Sequence, residues 1–219
     1  PTDDNFSHTF KKRALKDYPP IKNNLFEGHN ALEAGALLWD KQQQAHIGSI
    51  IHRLLQYIGE NQLLDKKMDP TFAIKNLLSQ YGLDAQDKTL IQHLTQIITR
   101  CLVDKKACWI LSQHDKDFFE YPVTANLNGH PQHLVIDRAF IENETLWVVD
   151  YKTSKPTADE TLEAFLQQQS QQHQKQLNLY MRTLSALYPG FTIKSGIYFP
   201  VIQVWLEHDP TLVHTVISQ

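Results

Sequence analysis

Apolar positions change period partway along the chain, and that change organises the fold. From about Lys41, Ile47, Ile50, Ile51, Leu54, Leu55 and Ile58 recur at steps of three and four, the signature of a helix with one buried face, and Gly59 stands where such a helix ends. Asp69-Pro70 reads as a cap followed by proline at the first helical position. Behind it Ile74, Leu77, Leu78 and Tyr81 form the next stripe. Asp84 is expected to cap a third helix, carried by Leu90, Ile91, Leu94, Ile97, Ile98 and Leu102.

Near Asp117 the period shortens to two. Phe118 to Leu127, Leu134 to Ile141 and Leu146 to Thr153 read as strands, joined at Asn128-Gly129, a strong hairpin signal, and at Asn143-Glu144, a weaker one. A long helix is expected from about Ala158 to Leu187, stopped by Pro189-Gly190. Its Gln-rich middle, Gln167 to Gln176, contains no helix breaker and reads as a solvated face. Phe191 to Phe199 and Val201 to Leu206 supply two further strands. The order of helices, meander, long helix and strands predicts an α/β layered fold. Residues 1–40 read as an irregular arm, and 41–219 as one domain with a helical part at 41–110 and a sheet-and-helix part at 117–206.

The hairpins place acids together. Opposed residues in an antiparallel pair have numbers of constant sum, so a loop at Asn143-Glu144 puts Asp137 opposite Asp150. A loop at Asn128-Gly129 puts Glu120 opposite Asp137. Opposed side chains share a face with Cβ atoms about 5 Å apart, where like charges repel. Val135, Ala139, Ile141, Leu146 and Val148 alternate onto that same face, while Leu134, Ile136, Phe140, Trp147, Val149 and Tyr151 line the other. A sheet apolar on both faces is covered on both, and covered carboxylates are costly unless paired or bound to a cation such as Mg²⁺. A polar outer face that happens to gather acids is the plain alternative. Lys152, two residues beyond Asp150, points to the same side and can offset the acids or stabilise charge on a phosphate; an ordinary ion pair is the simpler reading of Asp-x-Lys alone.

The net charge of −3 gives no bulk attraction for nucleic acid, so DNA binding would need a local patch or a bound cation. Cys101 and Cys108 are too few for a disulfide framework, and a reducing cytoplasm is expected. No apolar run is long enough to span a membrane, and no Gly-x-x-x-x-Gly-Lys-Ser/Thr phosphate loop occurs. The remaining histidines lack zinc-ligand spacing. The opening Pro1-Thr2 suits either a trimmed start or a domain of a longer chain.

Taken together, Val135-Ile136-Asp137-Arg138 and Val148-Val149-Asp150-Tyr151-Lys152-Thr153-Ser154 resemble the core of the PD-(D/E)XK nucleases, in particular the C-terminal nuclease domain of RecB/AddA-type helicase–nucleases. Gly48-Ser49-Ile50-Ile51-His52 resembles that family's Gly-x-x-x-His helix, and Gln176-Leu177-Asn178-Leu179-Tyr180 its Gln-x-x-x-Tyr helix. Glu120, in Phe119-Glu120-Tyr121-Pro122-Val123, matches the acid-then-proline strand that precedes them. The likeness runs from about Gly48 to Phe199. It departs at Leu134-Val135, where the family often has glycine, and two cysteines cannot serve its iron–sulfur branch.

The resemblance implies a restriction-endonuclease-like core, a central mixed sheet flanked by helices with a helical N-terminal part. It implies a Mg²⁺-dependent deoxyribonuclease, of exonuclease type, acting on single-stranded DNA in double-strand break repair. Asp137, Asp150, the Tyr151 carbonyl and His52 would hold the metal, for which Mn²⁺ also suits. Lys152 would position water, and Glu120, Gln176 and Tyr180 would complete the site. For Tyr180, core packing with Leu177, Met181 and Leu184 is an equal reading. Lys152, Lys155 and Arg138 are candidate phosphate contacts. Helicase domains of the same polypeptide and a partner subunit would be its partners. A non-catalytic module of the same fold is the alternative.

Overall fold

The computed structural model describes residues 41–64, 69–127 and 130–210. The expected arm at 1–40 and the Asn128-Gly129 turn lie outside the described residues.

Four helices come first: α1 (Lys41–Glu60), α2 (Thr71–Gln80), α3 (Lys88–Cys101) and α4 (Lys105–Leu111). Each start has a local cause. Pro70, expected at the first helical position, is itself the cap of α2: its carbonyl accepts the Ile74 N–H, while Asp69 just before it accepts from Thr71 N–H at 2.9 Å. Asp84 does not cap α3. It closes a turn through Gln86 N–H, and Asp87 accepts from Thr89 and Leu90 N–H at the helix start. The separate helix α4 was not expected; Asp104 caps it by accepting from Ala107 N–H at 2.7 Å.

The strands are β1 (Lys116–Leu127), β2 (His130–Glu142), β3 (Thr145–Tyr151), β4 (Thr192–Phe199) and β5 (Val204–His208), ordered β1-β2-β3-β4-β5 in one sheet. All neighbours are antiparallel except β3 and β4. A parallel pair needs a crossover, and α5 (Leu162–Leu187) supplies it, starting at the Thr161 cap rather than near Ala158. The Asn143-Glu144 turn has positive φ at both residues (49° and 60°), the backbone conformation that fits a two-residue hairpin to the right-handed twist of its strands. The resulting register pairs Arg138 with Val149 and Glu142 with Thr145.

The mixed sheet is covered on both faces. Phe140, Val149, Tyr151 and Tyr198 pack against the stripes of α1–α4. Ala139, Ile141, Leu146, Val148, Ile197 and Phe199 pack against Phe165, Leu177, Tyr180 and Leu184 of α5. At about 25 cal/mol per Å² of apolar surface buried, these two layers supply most of the drive to fold. One departure from strict alternation matters. Ile136 lies in the α5 layer with Ala139, three residues on, while Val135, expected there, is 48% exposed. The alternation slips at Asp137. Across from it Glu120 has φ 45° and is skipped in a ladder that pairs Phe119 with Arg138 and Tyr121 with Ile136. A local break of this kind re-aims side chains.

Candidate metal and active site

Asp150 and Asp137 come together where β3 ends and the sheet splays between α1 and α5. The ladder constant of β2 and β3 carries Asp137 opposite Asp150, but paired hydrogen bonding stops at Arg138–Val149. In place of the next rung, the Asp137 carboxylate accepts the Tyr151 N–H at 2.8 Å. The side chain thus completes the strand end and is fixed by it.

Helix α1 brings His52 to this point. Its Nδ1 lies 3.7 Å from Asp137 Oδ2, and its ring stands edge-on to Tyr151. Gly48, one turn earlier, permits the close approach: a Cβ there would sit 3.3 Å from Thr153 Oγ1, a tight contact that the threonine side chain would have to ease. Helix α5 reaches the site from the other side. Gln176 Nε2 donates to Asp150 Oδ1 (3.2 Å) and to the Tyr180 hydroxyl (2.8 Å), and that hydroxyl donates to the Val135 carbonyl (3.0 Å). Tyr180 is therefore both things expected of it, packed beside Leu177 and Leu184 and tied to the strand that carries Asp137.

Lys152 forms an ion pair with Asp150 Oδ2. Its backbone N–H still bonds Tyr198 of β4 at 3.0 Å, so the side chain leaves from the last anchored residue of the strand.

Electrostatics separate the two aspartates. Burial pushes Asp137 up, but His52, Lys152 and the Tyr151 N–H outweigh it and hold the carboxyl below its usual range. For Asp150 burial wins, aided by the Asp137 charge, and the carboxyl lies above its usual range despite Lys152. Burial disfavours charge on Lys152 and His52 too, yet the neighbouring carboxylates prevail and both are raised. Glu120 is pushed up to about 7 by burial and then by Asp137, with His52 and Arg53 opposing. Two carboxyls with opposite shifts beside a lysine form the pattern of a site that handles charge.

The donors suit a divalent cation. Asp150 Oδ2 is buried and accepts no hydrogen bond beyond its Lys152 ion pair, which leaves hard-oxygen lone pairs for a cation. Mg²⁺ typically takes one or two carboxylates and completes its shell with water and substrate phosphate. Among the described residues no three His, Cys, Asp or Glu side chains converge as a ready cluster, so two carboxylates and neighbouring donors, not a full protein cage, are what the chain offers.

Arg138 is a correction. Expected among the phosphate contacts, it is fully buried on the opposite face. It donates to the carbonyls of Ile110 (3.0 Å) and Ser112 (3.2 Å), pairs with Asp117, and lies over Phe119 with its guanidinium carbon 4.0 Å from the ring centroid. Strand alternation was the signal, since a neighbour of Asp137 must face away from it. The Gln-rich run is also not uniformly solvated: Gln169 is 7% exposed and accepts from Ser154 Oγ at 3.1 Å. It stands seven residues before Gln176, two helical turns along the same face, a spacing visible in the sequence.

A mixed five-stranded sheet with helices on both faces, carrying its acids at the end of a central strand, defines a restriction-endonuclease-like α/β protein. Residues 30–207 match the PD-(D/E)XK nuclease superfamily, and the chain belongs to it. Comparison with curated proteins gave no match. No helix among the described residues is long and apolar enough to cross a membrane.

Proposed function

We propose that this chain is a metal-dependent deoxyribonuclease in which Asp137, Asp150 and Lys152 form the centre of hydrolysis. The observation that carries this reading is geometric: buried Asp150 and half-buried Asp137 stand at one strand end, held on one side by His52 and on the other by Lys152 and Gln176.

A divalent cation, Mg²⁺ or Mn²⁺, would be held by Asp137 and Asp150, with the Tyr151 carbonyl and His52 as further donors. It would supply charge neutralisation at the phosphate and a more acidic water. The chain's own groups do the rest. Asp137, tied to Tyr151 N–H, keeps its orientation as charge moves. The Gln176 amide holds Asp150 Oδ1, leaving Oδ2 to face Lys152. The Lys152 ammonium holds the attacking water, or an oxygen of the phosphate, for in-line displacement of the 3′ oxygen. Fixed charge in a buried site needs no reorganisation at the moment of reaction. Glu120, half-buried and pushed up to about 7 by desolvation and then by Asp137, adds a group able to take up a proton near neutral pH.

The finer assignment is the nuclease domain of a RecB/AddA-like helicase–nuclease, an exonuclease on single-stranded DNA in double-strand break repair. Helicase domains would belong to the same polypeptide and act with a partner subunit in the cytoplasm. Its support is the Gly48–His52 turn packed on the strand end and the Gln176–Tyr180 pair tied to both active strands. End-labelled linear and circular single-stranded DNA separate the possibilities. An exonuclease degrades the linear strand and spares the circle; equal cutting of both would discard the exonuclease assignment and keep the hydrolase.

A further inference from the structure

Beyond Lys152 the chain leaves the sheet, and residues 152–161 form no helix or strand. A catalytic lysine at the start of an irregular segment needs something to hold it, because an unpaired strand end frays. Helices on both sides of the sheet meet this segment. Gly48 of α1 lies close to Thr153: a Cβ built there would sit 3.3 Å from the threonine Oγ1. Gln169 of α5 accepts the Ser154 hydroxyl at 3.1 Å. Next along the chain, the Lys155 charge bears on His93 of α3.

Gln169 is the unusual member. Its helix carries a run of glutamines, most of them at the surface, and an amide is costly to bury unless it is bonded. Yet Gln169 is buried, 7% exposed, with Oε1 on Ser154 and Nε2 directed at Gln172 Oε1, 3.5 Å away. One face of α5 thus presents Gln169 to Ser154 and, two turns later, Gln176 to Asp150. These two amides hold the residues on either side of Lys152.

We infer that Gln169 is a positioning residue for Lys152: by accepting the Ser154 hydroxyl it fixes the segment just past β3, so that the ammonium stays over Asp150. It touches neither metal nor substrate. The inference rests on the proposed nuclease reading for its catalytic consequence, but its structural content is independent of that reading.

The test compares wild type with Ser154→Ala, Gln169→Leu and Gln169→Glu in the full chain. Glutamate keeps an oxygen acceptor for the hydroxyl, whereas leucine does not. Two readouts are taken: the rate at which an amine-acylating reagent labels Lys152, read by peptide mass spectrometry, and kcat and KM on single-stranded DNA with Mg²⁺. Ser154 is at the surface, so Ser154→Ala guards against a folding defect in the Gln169 variants.

The expected result is labelling raised about threefold or more in Ser154→Ala and Gln169→Leu. In the same two variants kcat falls roughly tenfold with KM little changed, since misplacement of a reacting group acts on the chemical step. Gln169→Glu recovers both readouts. Unchanged labelling in Ser154→Ala and Gln169→Leu overturns the inference, as does a rise in Gln169→Glu equal to that in Gln169→Leu. If wild type neither cuts DNA nor binds Mn²⁺, the nuclease reading fails and the labelling rates alone decide the positioning role.

Discussion

Arg138→Met separates two roles for the residue beside Asp137. The guanidinium is fully buried, donates to the Ile110 and Ser112 carbonyls and pairs with Asp117, whose side chain is 26% exposed. Methionine fills much of the same volume and keeps contact with Phe119 and Phe140, so cavity formation is a minor loss. What remains is an aspartate without its cation and three carbonyls, of Ile110, Ser112 and Ala139, without that donor. Removing one member of a buried pair costs about 3–5 kcal/mol, and the partial exposure of Asp117 places this case near the lower figure. For a chain of this size about 3 kcal/mol corresponds to a fall of roughly 6–12 °C in Tm. Urea unfolding followed by tryptophan fluorescence, with calorimetry for Tm, measures it. Removing the stranded charge as well, in Arg138→Met/Asp117→Asn, should restore a good part of the loss. The reasoning is refuted if Arg138→Met unfolds within about 0.5 kcal/mol of wild type while its DNA affinity drops. That outcome would return Arg138 to the phosphate contacts.

Other expectations follow from the same site. Glu120→Gln should match wild type in stability near pH 4 and exceed it as pH rises through 7, measured in EDTA. A carboxyl raised in the folded state from 4.5 to about 7 contributes stability that is complete below 4.5 and lost as pH climbs through 7. The full difference is at most about 3 kcal/mol, and equal curves at pH 4 and pH 8.5 would mean that Glu120 is not so shifted. Tyr180→Phe removes the donor to Val135 and the partner of Gln176 Nε2. It should cost about 1–2 kcal/mol in urea and lower kcat more than it changes KM; a change in KM alone would make Tyr180 a substrate contact. Lys155→Ala should raise KM for DNA and reduce the salt slope of binding by about 1 with kcat retained, and an unchanged slope would remove Lys155 from the phosphate path.

Much of this site was legible before the structure because strand pairing is arithmetic. Once Asn143-Glu144 forms the loop, Asp137 and Asp150 must be neighbours, and both positive φ values at that loop bear the arithmetic out. The layers of the sheet followed from period-two alternation, except at Asp137, where the slip that exposes Val135 depends on Glu120 adopting φ 45°, a conformation no propensity favours for glutamate. Helix starts were harder. Asp84 and Asp87 stand three residues apart, both suited to capping, and only packing of the Leu90 stripe decides that Asp87 begins α3 while Asp84 closes a turn. Arg138 sits next to Asp137 in sequence, yet its own strand position turns it to the other side, where it pairs with Asp117. Gln169 was hidden by composition: among so many glutamines, the one that packs inward differs only in helical phase.

The central claim is that Asp137, Asp150 and Lys152 form a metal-dependent hydrolytic centre, and cleavage of labelled single-stranded DNA tests it most directly. Wild type, Asp150→Ala and Lys152→Ala are compared with Mg²⁺, with Mn²⁺ and with EDTA, alongside calorimetric titration of Mn²⁺ into the same samples. The account predicts cutting by wild type that needs the metal, stops in EDTA and is lost in both variants, with Mn²⁺ binding lost in Asp150→Ala. A folded wild type that neither cuts DNA nor binds Mn²⁺ would contradict it, and would leave a non-catalytic module of the same fold.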